Sequence, residues 1–599
     1  MSANDTTAME PVHNGANAQA DFPGTETATH FNYEDEKQVA NAPDSSEDAD
    51  YDPEHPAPTA EDWATLREVA DKIPYSAYLV ILIEFCERFT YYGLSGVFQN
   101  YIQFPAPASY PADQAGALGK GQQTATALVT FFQFFCYVTP ILGGIIADQY
   151  LGKYKTILTF AIIYVVGLVI MTATSAPSAI ASGGAFPGFI VSIIIIGFGT
   201  GGIKSNVSPL VAEQYKSKTP FVSTLKSGER VIVTPQATYQ KIFNFFYWGI
   251  NVGSLSAIAT TELEKNVGYW PAYLLPTLMF IPAITTVILG RKRYISAPPR
   301  GSIFIEAARV IGYSFKVKGG LDALKPSALK ENHPELLDKA TWDDVFIDEL
   351  KRTIKACAVF CWYPIYWLCY SQMTSNLISQ AATMETGNVP NDIMQNIDPL
   401  VLIIAIPIMD RFVYPGLRRV GIKMRPIFRI TLGFMFAAIA MAYTAGIQSM
   451  IYNSPPYYNM PSEANDGSGG NNYISAGYQV LSYVFIAISE IFASITGLEY
   501  AYKKAPESMK SLVMALFLFT SCLGSVLQFA LVSVTVDPKL VWMYTGIACA
   551  MGVCTPLFWF CHGKNDKIDV EEDSIVRNAI QEEAYQHHSH DADFKDNKI

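Results

Sequence analysis

Five ionisable residues stand in stretches of sequence that are otherwise strongly apolar: Glu84, Glu87 and Arg88 together, Lys204 alone and Glu490 alone. A charge at the centre of a membrane span costs about 2.5–3.5 kcal/mol on insertion scales, so such residues are functional candidates by default. Glu84, Glu87 and Arg88 fall at i, i+3 and i+4, which places them on one face of a helix. There Arg88 can be held by a carboxylate while keeping donors for a ligand, and protonation of a glutamate releases it. Two cations facing one anion suit a zwitterion with separated ends. Arg88 and Lys204 would hold a carboxylate, and Glu490 would hold an ammonium. Tyr91, Tyr92, Tyr137, Tyr247, Asn251 and Trp367 supply adaptable polar contacts around them, although each is equally readable as ordinary packing. The competing reading of the five charges is a network that only locks helices together; tight helix packing in membranes seldom needs so many.

These residues need spans to position them, and the charge pattern supplies spans. The chain has 599 residues, 50% hydrophobic and 16% charged, against about 25% charged in soluble domains. Its net charge of −12 sits in the ends: −14 over residues 1–74 and −5 over 564–599, which leaves +7 for the middle. A mildly basic, very apolar middle argues against a nucleic-acid partner and against a conventional soluble enzyme. Gly121–Ala147, Thr156–Ile203, Ile242–Thr261, Asn266–Gly290, Ala356–Met384, Ile430–Ser462, Gly467–Ser489, Ser511–Val536 and Leu540–Gly563 carry no charge at all. With about 20 residues per helical span, the sequence predicts twelve spans, near 75–103, 122–147, 156–174, 188–213, 239–262, 270–290, 351–381, 394–414, 427–450, 475–502, 509–535 and 540–562.

Lys and Arg predict the orientation. The short connections between spans 2–3, 4–5, 8–9 and 10–11, with their span ends, hold sixteen, whereas the opposite side holds Lys120, Lys265 and Lys539. By the positive-inside rule the basic side and both tails face the cytosol. The long, polar, acidic start is not a cleavable signal peptide. Both tails, 1–74 and 564–599, read as acidic, disordered and cytosolic. Lys37 is a candidate attachment site for ubiquitin, set against the plainer reading of an ordinary tail lysine.

The charged loop 291–350 divides the middle into two six-helix bundles, 75–290 and 351–563. Within the loop, Ile303, Ala307, Ile311 and Phe315 recur at helical spacing and predict a helix lying along the membrane surface. The connection after span 2 (Gly144, Asp148, Gly152, Lys153) is echoed after span 8 (Asp410, Gly416, Arg418, Arg419). Two parallel halves with this pattern resemble the major facilitator superfamily, an all-α membrane fold with its site between the halves near mid-membrane.

Other motifs count for less. Gly197-Phe-Gly199-Thr-Gly201-Gly202 satisfies G-x-G-x-x-G, yet it follows a run of isoleucines with no βαβ context, so close helix packing is the better reading. The nine cysteines fall in spans without metal spacing and read as packing residues. The His587, His588 and His590 cluster reads as a solvated tail rather than a metal site. The histidines fall in tails, a loop or, for His562, a span end, and none lies inside the membrane, so proton coupling falls to carboxylates. With no P-loop, zinc motif or serine elbow, neither an ATP-driven pump nor an enzyme is expected, and no cofactor beyond protons as co-substrate.

The residues at these positions resemble the proton-coupled oligopeptide transporter family, in particular its fungal di- and tripeptide branch. The first-span motif reads Glu84-Phe-Cys-Glu87-Arg88-Phe89-Thr-Tyr91-Tyr92-Gly93, and the fifth-span signature Phe243-Asn-Phe-Phe246-Tyr247-Trp-Gly-Ile250-Asn251-Val-Gly253. Span 4 gives Gly199-Thr-Gly201-Gly202-Ile-Lys204, and span 10 gives Glu490 followed by Gly497-Leu498-Glu499-Tyr500. The resemblance covers residues 75–563 and implies a plasma-membrane symporter working by alternating access. Glu84, Glu87 and Arg88 would couple protons; Arg88 and Lys204 would meet the peptide carboxylate, and Glu490 its amino terminus. Tyr91, Tyr92, Tyr137, Tyr247, Asn251 and Trp367 would line the pocket. Two departures stand out. The span-2 histidine of animal members is absent, and Ser371 replaces an acid found four residues after the span-7 tryptophan in many members. The stretch Lys216–Thr238 resembles an insertion of the fungal branch. A small anion such as nitrate is the alternative substrate, and a nutrient sensor with a signalling tail is the alternative class.

Overall fold

The computed structural model of the protein describes residues 58–564, apart from 218, 226–227, 297–298, 300–302, 318, 338–339, 422–423, 464–469, 505 and 507–508. Lys37 and the tail histidine cluster lie outside the described residues.

The described residues are mostly helical, and among them ten helices are long and apolar enough to cross a membrane, from Gly121–Leu151 to Leu540–His562. They coincide with ten of the twelve expected spans. The two other expected segments are helical but depart from a plain apolar rod. Tyr75–Ser95 is an unbroken helix of 21 residues that carries Glu84, Glu87 and Arg88. The segment 351–381 changes pitch repeatedly: α over Asp344–Ala356, 3₁₀ over Cys357–Trp362, α over Tyr363–Ser371, then 3₁₀ over Gln372–Thr374 before Asn376–Ala381. The Gln372 amide and Ser375 hydroxyl turn back onto the Leu368 and Ser371 carbonyls at 2.9 and 3.0 Å, competing with the regular ladder.

Each half builds its own core, one from Ile73 to Val287 and the other from Cys357 to Phe558. The glycine run behaves as packing, as expected. A Cβ on Gly199 would sit 2.7 Å from Tyr164 Cα, and one on Gly202 would sit 2.1 Å from the Phe160 ring. Only hydrogen at these positions lets the helix Ala185–Lys204 press against Lys153–Thr174. The echo between halves is also visible in the backbone. A wide π-helical turn follows the second apolar helix at Ala147–Leu151, and another stands at the matching place in the second half, Met409–Val413. A third, Ile491–Ile495, begins immediately after Glu490; such turns recur at functional positions because they redirect side chains.

Two expectations are corrected. The helix Ile303–Ser314 turns Ala307 and Val310 into a small core with Leu324, Leu329, Trp342, Ile347, Leu350 and Met509. Much of its apolar face is therefore packed against the loop and against Met509 beyond it, while Phe315 at its end stays exposed. The expectation of disorder through residue 74 also fails over residues 58–74, the part of that tail the structure describes. Thr59 and Asp62 form a reciprocal cap on the helix Ala60–Thr65. A strand β1 (Glu68–Val69) then pairs in parallel with β3 (Arg230–Val233), which pairs antiparallel with β2 (Phe221–Thr224). Arg67 binds Glu229 at 2.7 Å and Arg230 binds Asp62 at 3.1 Å. The strands β2 and β3 recruit residues 59–69, so residues low in hydrophobicity become ordered by edge pairing and ion pairs.

At the end away from the basic loops, side-chain hydrogen bonds join the two halves. Gln99 Nε2 donates to Ser379 Oγ at 2.9 Å, Thr126 Oγ1 to Asn376 Oδ1 at 2.9 Å, and Gln395 Nε2 to the Gly96 carbonyl at 2.9 Å. Ser379 also bonds Gln103. Gln99, Thr126, Asn376 and Ser379 are buried, so this end is closed by packed polar side chains.

Candidate functional site

The helix Tyr75–Ser95 presents the expected triad on its inner face. Arg88 Nε lies 2.7 Å from Glu84 Oε1 and 3.4 Å from Glu87 Oε2. All three are buried, Glu87 completely. A buried pair of this kind is worth little net stability against its desolvation, yet breaking it strands a charge, so the arrangement holds either a full set of ions or a proton. Gly253 allows the approach of the fifth-span helix: a Cβ there would sit 3.0 Å from Arg88 Cβ. Thr200, on the helix Ala185–Lys204, donates its hydroxyl to Glu87 Oε1 at 2.7 Å. The sequence reading missed Thr200, because a lone threonine in a glycine run carries no signal of its own.

Lys204 ends the same helix, with its Nζ 4.0 Å from the centre of the Tyr137 ring. It interacts electrostatically with Arg88, Glu87 and Glu84. The tyrosine face steadies the ammonium without neutralising it. Tyr91 meets Tyr92 edge-on at 5.4 Å and stacks on Phe132 at 5.7 Å, which fixes both rings beside Arg88. Tyr247 and Asn251 lie one turn apart on Pro235–Ser254, a helix started by Thr234, whose hydroxyl accepts from Ala237 N–H. Asn251 Nδ2 donates to the Tyr247 carbonyl at 3.0 Å.

Glu490 comes from the other half. It acts electrostatically on Tyr92, Tyr137 and Tyr247 of the first half and on Tyr370 of its own. Its Oε2 is buried without a hydrogen-bond partner. The expected residues of the two halves are thus brought together, with Trp367 as the exception. Its indole N–H donates to Thr520 Oγ1 at 2.9 Å and its ring meets Tyr370 at 5.5 Å, so it walls the site away from the charges. Ser371, which replaces the acid of many family members, bonds Gln528 and the Leu368 carbonyl.

The reading of five intramembrane charges is corrected upward. Asp398 is buried in the first turn of Ile397–Ile408, with Oδ1 unpartnered, and faces Glu490 electrostatically. Glu264 and Asp392 are completely buried as well. The sequence limits put Glu264 and Asp392 just outside their spans, and an acid in a helix's first turn reads as an ordinary end residue. Around the site the first half therefore offers two cations matched by Glu84 and Glu87, and the second half offers Glu490 and Asp398, while Glu264 and Asp392 lie apart at the closed end.

The family model described as "POT family" matches residues 154–561. The chain is 47% identical over 543 residues to "Probable peptide transporter ptr2" of Schizosaccharomyces pombe, covering 89% of this chain and 86% of that one. It is 46% identical over 545 residues to "Peptide transporter PTR2" of Saccharomyces cerevisiae, covering 91% and 87%. Among solved structures, the fold resembles "the POT family transporter PepTSo", with a TM-score of 0.65 at 24% identity, over 83% of this chain and 99% of that one. The chain belongs to the POT family of membrane transporters.

Proposed function

We propose that the protein is a proton-coupled symporter that imports di- and tripeptides across the plasma membrane by alternating access. In this reading twelve spans form two six-helix bundles of the major facilitator type, 75–290 and 351–563, joined by the loop 291–350, with both termini in the cytosol. The observation that carries it is the division of charge between the halves: Arg88 and Lys204 on one side, Glu490 and Asp398 on the other, with Tyr92, Tyr137 and Tyr247 between them. A peptide's carboxylate pairs with the cations and its ammonium with the carboxylates. Because only the termini and amides need fixed partners, the side chains remain free to vary.

The coupling follows from the same geometry. With Glu84 and Glu87 ionised, Arg88 is engaged by both and presents less to a ligand. A proton on either carboxylate frees Arg88 for the peptide carboxylate, and peptide release lets the ion pairs re-form. A small anion such as nitrate would use Arg88 and Lys204 but would face two carboxylates with nothing to bind, so the charge division favours a zwitterion. The test is uptake of a labelled dipeptide by liposomes holding the purified protein, with and without an inward proton gradient. Gradient-stimulated accumulation is the expected result. Uptake of nitrate with no peptide accumulation overturns the reading.

A further inference from the structure

Glu264 and Asp392 meet where the two halves close at the end away from the basic loops. Glu264 lies near the end of the helix Ser256–Asn266, and Asp392 lies in the turn Asn391–Asn396 that opens the first helix after the broken segment. Both are completely buried. Around them the amide donors are already spent. Asn100 Nδ2 donates to Glu264 Oε1 at 3.1 Å and to Asn391 Oδ1 at 2.8 Å. Asn391 Nδ2 donates to Asn100 Oδ1 at 2.9 Å and to the Ile378 carbonyl at 3.0 Å. Both hydrogens of each amide are therefore used.

That leaves Glu264 Oε2, Asp392 Oδ1 and Asp392 Oδ2 buried with no donor, and beside them the Tyr269 hydroxyl, also buried without a partner and directed at Glu264. No Lys or Arg among the described residues makes an ion pair with either carboxylate. The other titratable groups facing the pair are Tyr110 and Tyr273, Tyr483 from the helix Val480–Glu490, the exposed Glu262, and Lys265, which acts on Asp392 from the partly exposed surface. Two carboxylates held together away from water cannot both stay ionised without a cation. A single proton between them turns one into a donor and supplies a partner to both residues.

We propose that Glu264 and Asp392 form a proton-binding site that exists only while this end of the transporter is closed, one carboxyl from each half sharing one proton. Opening this end parts Asn100 from Asn391, admits water and lets both acids ionise, returning the proton to the side it came from. The site therefore adds nothing to the protons carried per peptide. It makes closure of the outer end depend on external pH instead. The closed state holds one proton more than the open one, so acid favours closure and the stabilisation fades as pH rises. The limiting slope for one proton is about tenfold per pH unit.

The inference rests on the transporter reading for which face is outer, but its test needs no substrate. Hydrogen exchange of the full chain in nanodiscs, followed at residues 96–103 and 391–396 and corrected for the intrinsic pH dependence of exchange, reports opening. Between about pH 8 and pH 5 the opening constant of the wild type should fall with pH by up to tenfold per unit. Glu264→Gln and Asp392→Asn each mimic the protonated acid, and each should stay closed at pH 8 with a slope reduced by one proton. A flat wild-type profile, or an unchanged slope in both variants, overturns the site. Failure of both variants to fold also counts against it, because a shared-proton pair should tolerate an amide. Loss of peptide uptake in liposomes would instead strike the transport reading and leave this slope untouched.

Discussion

Arg88 Nε lies 2.7 Å from Glu84 Oε1, one turn back along the same helix. The same nitrogen reaches Glu87 Oε2 at 3.4 Å, while Thr200 holds Glu87 Oε1. Glu87→Gln keeps an acceptor for Thr200 but removes the carboxylate that pairs with Arg88. Groups that transfer protons in reactions are worth 10²–10⁴-fold, so gradient-driven dipeptide accumulation should fall by roughly tenfold or more. Exchange of labelled for unlabelled peptide at equal pH should persist. Undiminished gradient-driven uptake removes Glu87 from the coupling.

Glu490→Gln addresses the ammonium end. A hydrogen bond to a charged group is worth about 1.5–3 kcal/mol, or about tenfold to a hundredfold in affinity. Competition against a labelled dipeptide should show that loss for peptides with a free amino terminus and little loss for N-acetylated ones. Equal losses for both kinds separate Glu490 from amine recognition.

Asp398 faces Glu490 with an unpartnered Oδ1, so the two should act as one unit. Residues sharing a network couple by about 0.5–3 kcal/mol. Affinities of Asp398→Asn, Glu490→Gln and the double variant should close a cycle with a coupling of that size. Additive losses place Asp398 outside the amine site.

The contrast between Glu490 and Asp398 marks what the sequence could and could not carry. Glu490 stands alone after a long uncharged run, and the triad's i, i+3, i+4 spacing fixes its shared face in any helix. Asp398, Asp392 and Glu264 sit within a few residues of polar connections, where the same letters usually mean a solvated helix end. Their burial comes from residues distant in the sequence closing over them, a tertiary fact with no local signature. The strand Glu68–Val69 was hidden for the same reason: it is ordered by pairing with Ile232 and Val233, more than 160 residues away. The break at Gln372–Thr374 comes with side chains returning to the backbone, which hydropathy does not register.

Gly199→Ala tests the close packing of the glycine run. The added methyl would meet Tyr164 Cα at 2.7 Å and its N at 2.8 Å, and backbone cannot swing aside as a side-chain tip can. Overpacking of this kind costs about 1–3 kcal/mol. The variant should unfold at lower temperature than the wild type in a detergent melt. An unchanged midpoint would mean that the helices Ala185–Lys204 and Lys153–Thr174 can separate freely.

Truncation distinguishes a transporter from a sensor and also tests the tail strand. Removing residues 1–57 stops short of the Thr59–Asp62 cap and spares Arg67 with its Glu229 partner. Liposome uptake should therefore be unchanged, since no residue of the charged site is touched; loss of uptake would favour a signalling role for the tail. Extending the deletion through Leu66 to Val69 removes β1 and leaves one edge of β3 unpaired. Tyr75 begins the helix that bears the triad, and Asp71 N–H is tied to Thr238 Oγ1 at 2.9 Å on the fifth-span helix. Losing the strand just before that tie should lower the thermal midpoint and raise protease sensitivity of residues 221–233. Identical melting and digestion for the two truncations would show that the strand adds nothing to how the first helix is held.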